Sequence, residues 1–130
     1  MTVSHTSVNT ADTAASIASR YLATWNETDA ARRQTLIAET FTSDAAYADP
    51  MLACDGGHEA INAMIGAVQQ QFAGLRFALR AQQDGHHDVV RFSWSLGPPQ
   101  DKPVAHGTDV VVVAADGRIQ RVTGFLDAQG

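Results

Sequence analysis

One cysteine and one lysine are all that 130 residues hold of either type. Cys54 has no second thiol for an intrachain disulfide, so core packing must hold the fold, and a reducing compartment suits it. It also has no basic neighbour in sequence to activate its thiol, which leaves a nucleophilic role unsupported. With Lys102 as the sole lysine, nine basic residues face fourteen acidic ones and the net charge is −5. No basic run or arginine stripe mixed with aromatics occurs, so nucleic acid is not an expected partner. No apolar run approaches membrane-spanning length, and Met1-Thr2-Val3-Ser4-His5 lacks a charged segment leading into an apolar one. A cytoplasmic protein with no membrane partner is the expectation. A Gly-rich phosphate loop and a nucleophile elbow are also missing, so no NAD, ATP, flavin or other cofactor is expected.

What is present reads as helices first and strands later. Residues 1 to about 10 are small and polar, the composition of a flexible tail; residues 11–130 read as a single domain. From about Thr10, apolar residues fall at Ala14, Ile17, Ala18, Tyr21, Leu22 and Trp25, the spacing of one helical face. Asp29 can cap a second helix carrying Leu36 and Ile37 and ending near Phe41. Thr42-Ser43-Asp44 reads as a turn, and Ala45 to Asp49 as a short strand that Pro50 ends. After Asp55-Gly56-Gly57 a third helix presents Ile61, Met64, Ile65, Val68 and Phe72. From Leu75 the period changes to two: Leu75, Phe77 and Leu79, then Val90, Phe92, Trp94 and Leu96. A strand from Val104 to Ala114 follows, and Asp116-Gly117 is a tight hairpin signal before a last strand from Arg118 to about Asp127. That order is α+β.

Val110 to Val113 is apolar on both strand faces, whereas an antiparallel sheet with one wet face alternates. The helices cover one side only. A second copy of the chain covering the other, a homodimer through the sheet, is therefore expected.

These pieces resemble the nuclear transport factor 2-like superfamily, the cone-shaped fold of SnoaL-type polyketide cyclases and ketosteroid isomerases. Tyr21-Leu22-Ala23-Thr24-Trp25-Asn26, Phe41-Thr42-Ser43-Asp44-Ala45 and Tyr47-Ala48-Asp49-Pro50 carry the likeness. Gly57-His58-Glu59-Ala60-Ile61 and the Asp116-Gly117-Arg118-Ile119 hairpin complete it. The resemblance implies a cone-shaped half-barrel, with three N-terminal helices packed on a curved, mostly antiparallel sheet. It also implies roles. Ketosteroid isomerases abstract a proton with an aspartate placed directly before a proline, which Asp49 matches. They hold the enolate with a tyrosine of the first helix, matched by Tyr21, and a protonated aspartate opening a late strand, matched by Asp109. Ile65 stands where these enzymes can carry a second tyrosine. His86-His87, Arg91 and Trp94 look more like the SnoaL-like group.

A carboxylate beside a valine run is costly to bury unless it is hydrogen-bonded, neutralised or used. Removing a proton next to a carbonyl needs a base near that carbon and donors at the oxygen where charge develops. A carboxylic acid held neutral by apolar surroundings serves as such a donor; ketosteroid isomerase is the standard worked example. Asp49, Tyr21 and Asp109 form the candidate catalytic set. Trp25, Phe41, Met64, Phe72, Phe92, Trp94 and Leu126 are core residues that would line the cavity of a cone with an open mouth, receiving an apolar or aromatic small molecule. No spacing of His86, His87 and His106 supports a metal site. The competing readings are a non-catalytic binding module, with Asp49 a turn residue bonding its own backbone, and an epoxide hydrolase, which would need Arg91 turned inward.

Overall fold

The computed structural model describes residues 11–127; the tail expected over residues 1 to 10 lies outside them. Three helices, α1 (Ala11–Asn26), α2 (Ala30–Thr40) and α3 (Gly57–Gln71), pack on one face of a curved sheet. The strands are β1 (Phe41–Ala48), β2 (Ala53–Cys54), β3 (Arg76–His86), β4 (Val89–Gly97), β5 (Ala105–Val113) and β6 (Ile119–Leu126), in the order β2-β1-β6-β5-β4-β3. All pairings are antiparallel except β1 with β6. The α+β architecture read from the sequence is the one observed.

Each apolar position of the α1 stripe is buried, from Ala14 through Trp25. Asp29 caps α2 with its side chain accepting from the Arg32 amide, which satisfies one donor that a helix start leaves unpaired. The chain then passes from α2 into β1 without a turn, so Phe41 both ends the helix and opens the strand. Thr42 and Asp44, read from sequence as a turn, bond each other across a register shift inside β1. The two-residue β2 was not expected, being too short to show any periodicity. Further register shifts fall in β3 between Arg80 and Asp84, and at Val112/Val113. At the first, Ala81 adopts a left-handed φ of 55°. Such irregularities bend a strand and raise its twist, and here they curve the sheet around the helices.

The valine run alternates. Val111 and Val113 are buried, while Val110 and Val112 are half-buried on the opposite face. Val110 pairs with Arg91 and Thr123, and Val112 with Arg121. Arginine stems beside an apolar residue cover part of it while their charged heads stay in water.

Arg33 locks the helices together. It is 4% exposed and its partners among the described residues are neutral, the Glu27 carbonyl at 2.7 Å, Gln69 Oε1 at 2.9 Å and Asn62 Oδ1. Gln69 donates in turn to the carbonyls of Trp25 and Glu27, so the α1–α2 corner is tied to α3. Asn26 fixes the end of α1 to β3 through both backbone groups of Phe77. Replacing Arg33 with Met should strand several buried acceptors and cost about 3 kcal/mol in urea unfolding. A loss below roughly 1 kcal/mol, within the spread of ordinary surface changes, would show that the clamp is not holding the helices.

Candidate active site

The parallel pairing of β1 with β6 brings the two aspartates together. Ala48 is level with Thr123 of β6, so Asp49 reaches Gly124, and Gly124 is paired across to Asp109 of β5. A methyl on Gly124 would lie 2.9 Å from Asp109 Oδ1 and 3.2 Å from Asp49 Cβ. The missing side chain at Gly124 is what lets both acids fold over the same stretch of β6.

Asp109 is 3% exposed. Tyr21 donates its hydroxyl to Oδ2 at 2.7 Å, and the Trp94 indole N–H donates to Oδ1 at 3.1 Å. Trp94 reaches it because its ring lies over Gly107, where any β-carbon would fall 2.1 Å from the indole. The Tyr21 ring is wedged among Trp25, Phe41 and Phe92, with centroids 5.2 to 6.4 Å away. Burial pushes the Asp109 carboxyl up to about 6, against the lowering effect of the Tyr21 and Trp94 bonds and helped by the charges of Asp49 and Asp127. At pH 7 it is mostly ionised and accepts from both donors; once protonated it becomes a donor itself. Burial, and then the charge of Asp109, raise the Tyr21 phenol well above its ordinary value.

Asp49 is half-buried and heavily engaged. Its Oδ1 accepts from the amides of Met51 and Leu52 at 2.8 and 3.0 Å, and its Oδ2 accepts the Tyr47 hydroxyl. A carboxylate offers about four lone-pair sites, so three donors leave one open. The turn-residue reading and the pocket reading both describe this side chain. Burial first, and then the bond to Asp49, raise the Tyr47 phenol far above its usual range.

Tyr21, Asp109, Tyr47 and Asp49 all line one cavity of about 210 Å³. Of the residues expected to line it, Trp25, Phe72, Trp94 and Leu126 do. Phe41, Phe92 and Met64 do not, which corrects the expectation: Phe41 and Phe92 are 1% exposed and pack behind Tyr21, and Met64 packs on the core from α3. Phe77, Leu22 and Leu96 stand in the wall instead. Met51, Phe72, Phe125 and Leu126 form an apolar rim, each at least 38% exposed.

Tyr47 is the residue the sequence reading missed. Strand alternation carried the signal, since a residue two before Asp49 shares its face. Ile65, where a second tyrosine could stand, is buried in the core. Arg91 points outward and pairs with Asp84 at 3.2 Å, so the arginine an epoxide hydrolase needs is not in the cavity. Among the described residues no three His, Cys, Asp or Glu side chains gather as metal ligands.

A family model described as a SnoaL-like domain matches residues 18–122. A candidate isomerase of the SnoaL-like family from Agrobacterium tumefaciens is 44% identical, covering 90% of this chain and 99% of its own, with a TM-score of 0.86. A candidate ketosteroid isomerase from Kribbella flavida is 18% identical over 92% of this chain and 81% of its own, with a TM-score of 0.67. A candidate polyketide cyclase from Sinorhizobium meliloti is 21% identical over 84% and 93%, with a TM-score of 0.64. At those identities the last two share the fold. No curated protein matches.

The raised Asp109 predicts a pH signature. In the unfolded chain this carboxyl ionises near 3.8, in the folded protein near 6. Its contribution is therefore full below 3.8, is lost as pH rises between those values, and is level above. The difference corresponds to roughly 3 kcal/mol. Urea unfolding of the wild type should weaken by an amount of that order between pH 4 and 7 relative to Asp109→Asn. Parallel pH profiles for the two proteins would show that Asp109 ionises normally.

Proposed function

The chain belongs to the SnoaL-like domain family, and from that membership we propose a cofactor-independent isomerase or cyclase that abstracts a proton next to a carbonyl. Asp49 is the base, using its one open lone pair. Tyr21 and Asp109 meet the substrate oxygen. One observation carries this reading: two phenols and two carboxyl groups open together on a largely apolar cavity. Two acids with different surroundings can divide base and acid roles between them. An apolar ligand seated beside Asp109 would strip away water and favour its neutral, donating form.

The substrate is a compact, uncharged, apolar or aromatic ketone or enone. The cavity volume falls below the roughly 300 to 1,000 Å³ typical of sites for drug-sized ligands, and among the described residues no lysine, arginine or histidine lines it to receive an anion. A lone reduced thiol, Cys54, fits work in the cytoplasm.

One observation favours a second reading, a non-catalytic binding module: the Met51 and Leu52 amides already give Asp49 a structural role. Proton exchange separates the two. Incubating small cyclic ketones and enones with the protein in D2O should accelerate deuterium uptake at the α-carbon, followed by proton NMR. Asp49→Asn should lower that rate by about 10²- to 10⁴-fold, the usual contribution of a positioned base, without loss of folding. Equal rates in the two proteins would remove Asp49 as the base and leave the binding module.

We also propose self-association through the outer sheet face, where Val110 and Val112 remain partly accessible. Light scattering after size-exclusion at micromolar concentration should report twice the chain mass. A monomer alone would remove this interface.

A further inference from the structure

We propose that Tyr47 is a further catalytic residue, whose hydroxyl passes its hydrogen bond from Asp49 to the substrate oxygen as Asp49 takes up a proton. The inference rests on Asp49 acting as the base. It starts from a count of protons. Tyr21 has one hydroxyl hydrogen and gives it to Asp109 Oδ2; Tyr47 has one and gives it to Asp49 Oδ2. Both phenols line the cavity, yet neither hydrogen is free while both carboxylates are charged. The two pairs lie close together over Gly124, and Tyr47 is near enough to feel the charge of Asp109.

Proton abstraction changes this balance at one pair only. The substrate C–H bond breaks, its electron pair enters the new carbon–carbon double bond, and the carbonyl π pair moves to oxygen. The proton forms an O–H bond on Asp49. A neutral carboxyl is a much poorer acceptor than a carboxylate, while the substrate oxygen has just become a strong one. The Tyr47 hydrogen bond therefore gains by turning to that oxygen, and Tyr47 keeps its own proton throughout. When Asp49 returns its proton to carbon, the bond turns back. Tyr47 thus favours the charged intermediate over the ground state, which is the requirement for accelerating the chemical step.

The structure supplies a variant that freezes the second state. The Met51 and Leu52 amides both donate to Oδ1 of Asp49. An asparagine at this position must keep its carbonyl oxygen there, which places its NH2 group at the Oδ2 position, facing Tyr47. That group donates, so the Tyr47 hydroxyl must accept from it and turn its own hydrogen elsewhere. Asp49→Asn is thus a mimic of the enzyme with its proton already taken.

The test uses 2-naphthol, a planar enol-like probe with no α-proton, titrated by its own fluorescence at pH 7. Four proteins are compared: wild type, Asp49→Asn, Tyr47→Phe and the double variant, each checked for folding by thermal melting. Asp49→Asn should bind the probe at least about tenfold more tightly than wild type. Adding Tyr47→Phe should cancel about tenfold of that affinity, while the same change beside an intact Asp49 should alter binding by less than about threefold. Equal affinity of Asp49→Asn and the double variant overturns the role of Tyr47, as does failure of all four to bind. Should the double variant not fold, kcat for deuterium uptake in Tyr47→Phe decides: a fall of about tenfold at constant KM is expected, and an unchanged kcat overturns the proposal. Failure of the base reading looks different, with the binding cycle intact and no deuterium uptake by the wild type.

Discussion

Burying the Asp109 carboxyl among valines and aromatic rings is tolerable because Tyr21 and Trp94 each give it a hydrogen bond, one to each oxygen. Without those donors the charged form would carry its full desolvation cost, and the group would simply neutralise. Much of the molecule is arranged to supply them. Tyr21 is held from behind by Phe41 and Phe92, which is why these two large aromatics are core residues and not cavity wall. Trp94 lies flat because position 107 has no side chain. The helix that carries Tyr21 and Trp25 is pinned at its end by Arg33 and Asn26. An ionisable group at such a site couples fold stability to the protonation state of the cavity.

The β1–β6 pairing then joins a second acid to the first. Asp109 and Asp49 come from strands that lie far apart in sequence but on either side of β6. Because β1 runs parallel to β6, the end of β1 stops at Gly124, and the Pro50 turn folds back to give Asp49 its backbone donors. The same carboxylate is thereby a turn-former and a cavity wall. Two backbone amides fix one of its oxygens and the Tyr47 hydroxyl the other, which favours a fixed carboxylate geometry.

Periodicity alone gives much of this. The helical stripe from Ala14 to Trp25, the period-two strands and the Asp116-Gly117 hairpin place Tyr21 inward and put Asp109 on the face of Val111 and Val113. The resemblance adds Asp49. Three features were not legible, each for a physical reason. Parallel pairing of β1 with β6 is a long-range choice that no local pattern encodes. "Inward" has two destinations in a cone, and whether a residue ends in packed core, as Phe92 does, or in the wall, as Trp94 does, depends on what faces it. Tyr47 reads as one more strand aromatic until Asp49, two residues on, is seen to turn the same way.

Charge decides what the cavity will accept. Among the described residues, its ionisable groups are two acids and two phenols, with no cation in the lining. A phosphate or carboxylate entering here would meet like charge at low dielectric, where repulsion is far stronger than in water. An oxygen that arrives uncharged, as a carbonyl, meets no such barrier and becomes negative only after the proton has reached an aspartate. At that moment one of the two acids has been neutralised, so the total charge in the cavity is unchanged. Proton transfer within such a site moves charge from the acid to the substrate without adding any. That conservation is why an acidic, apolar pocket with no positive residue is compatible with enolate chemistry.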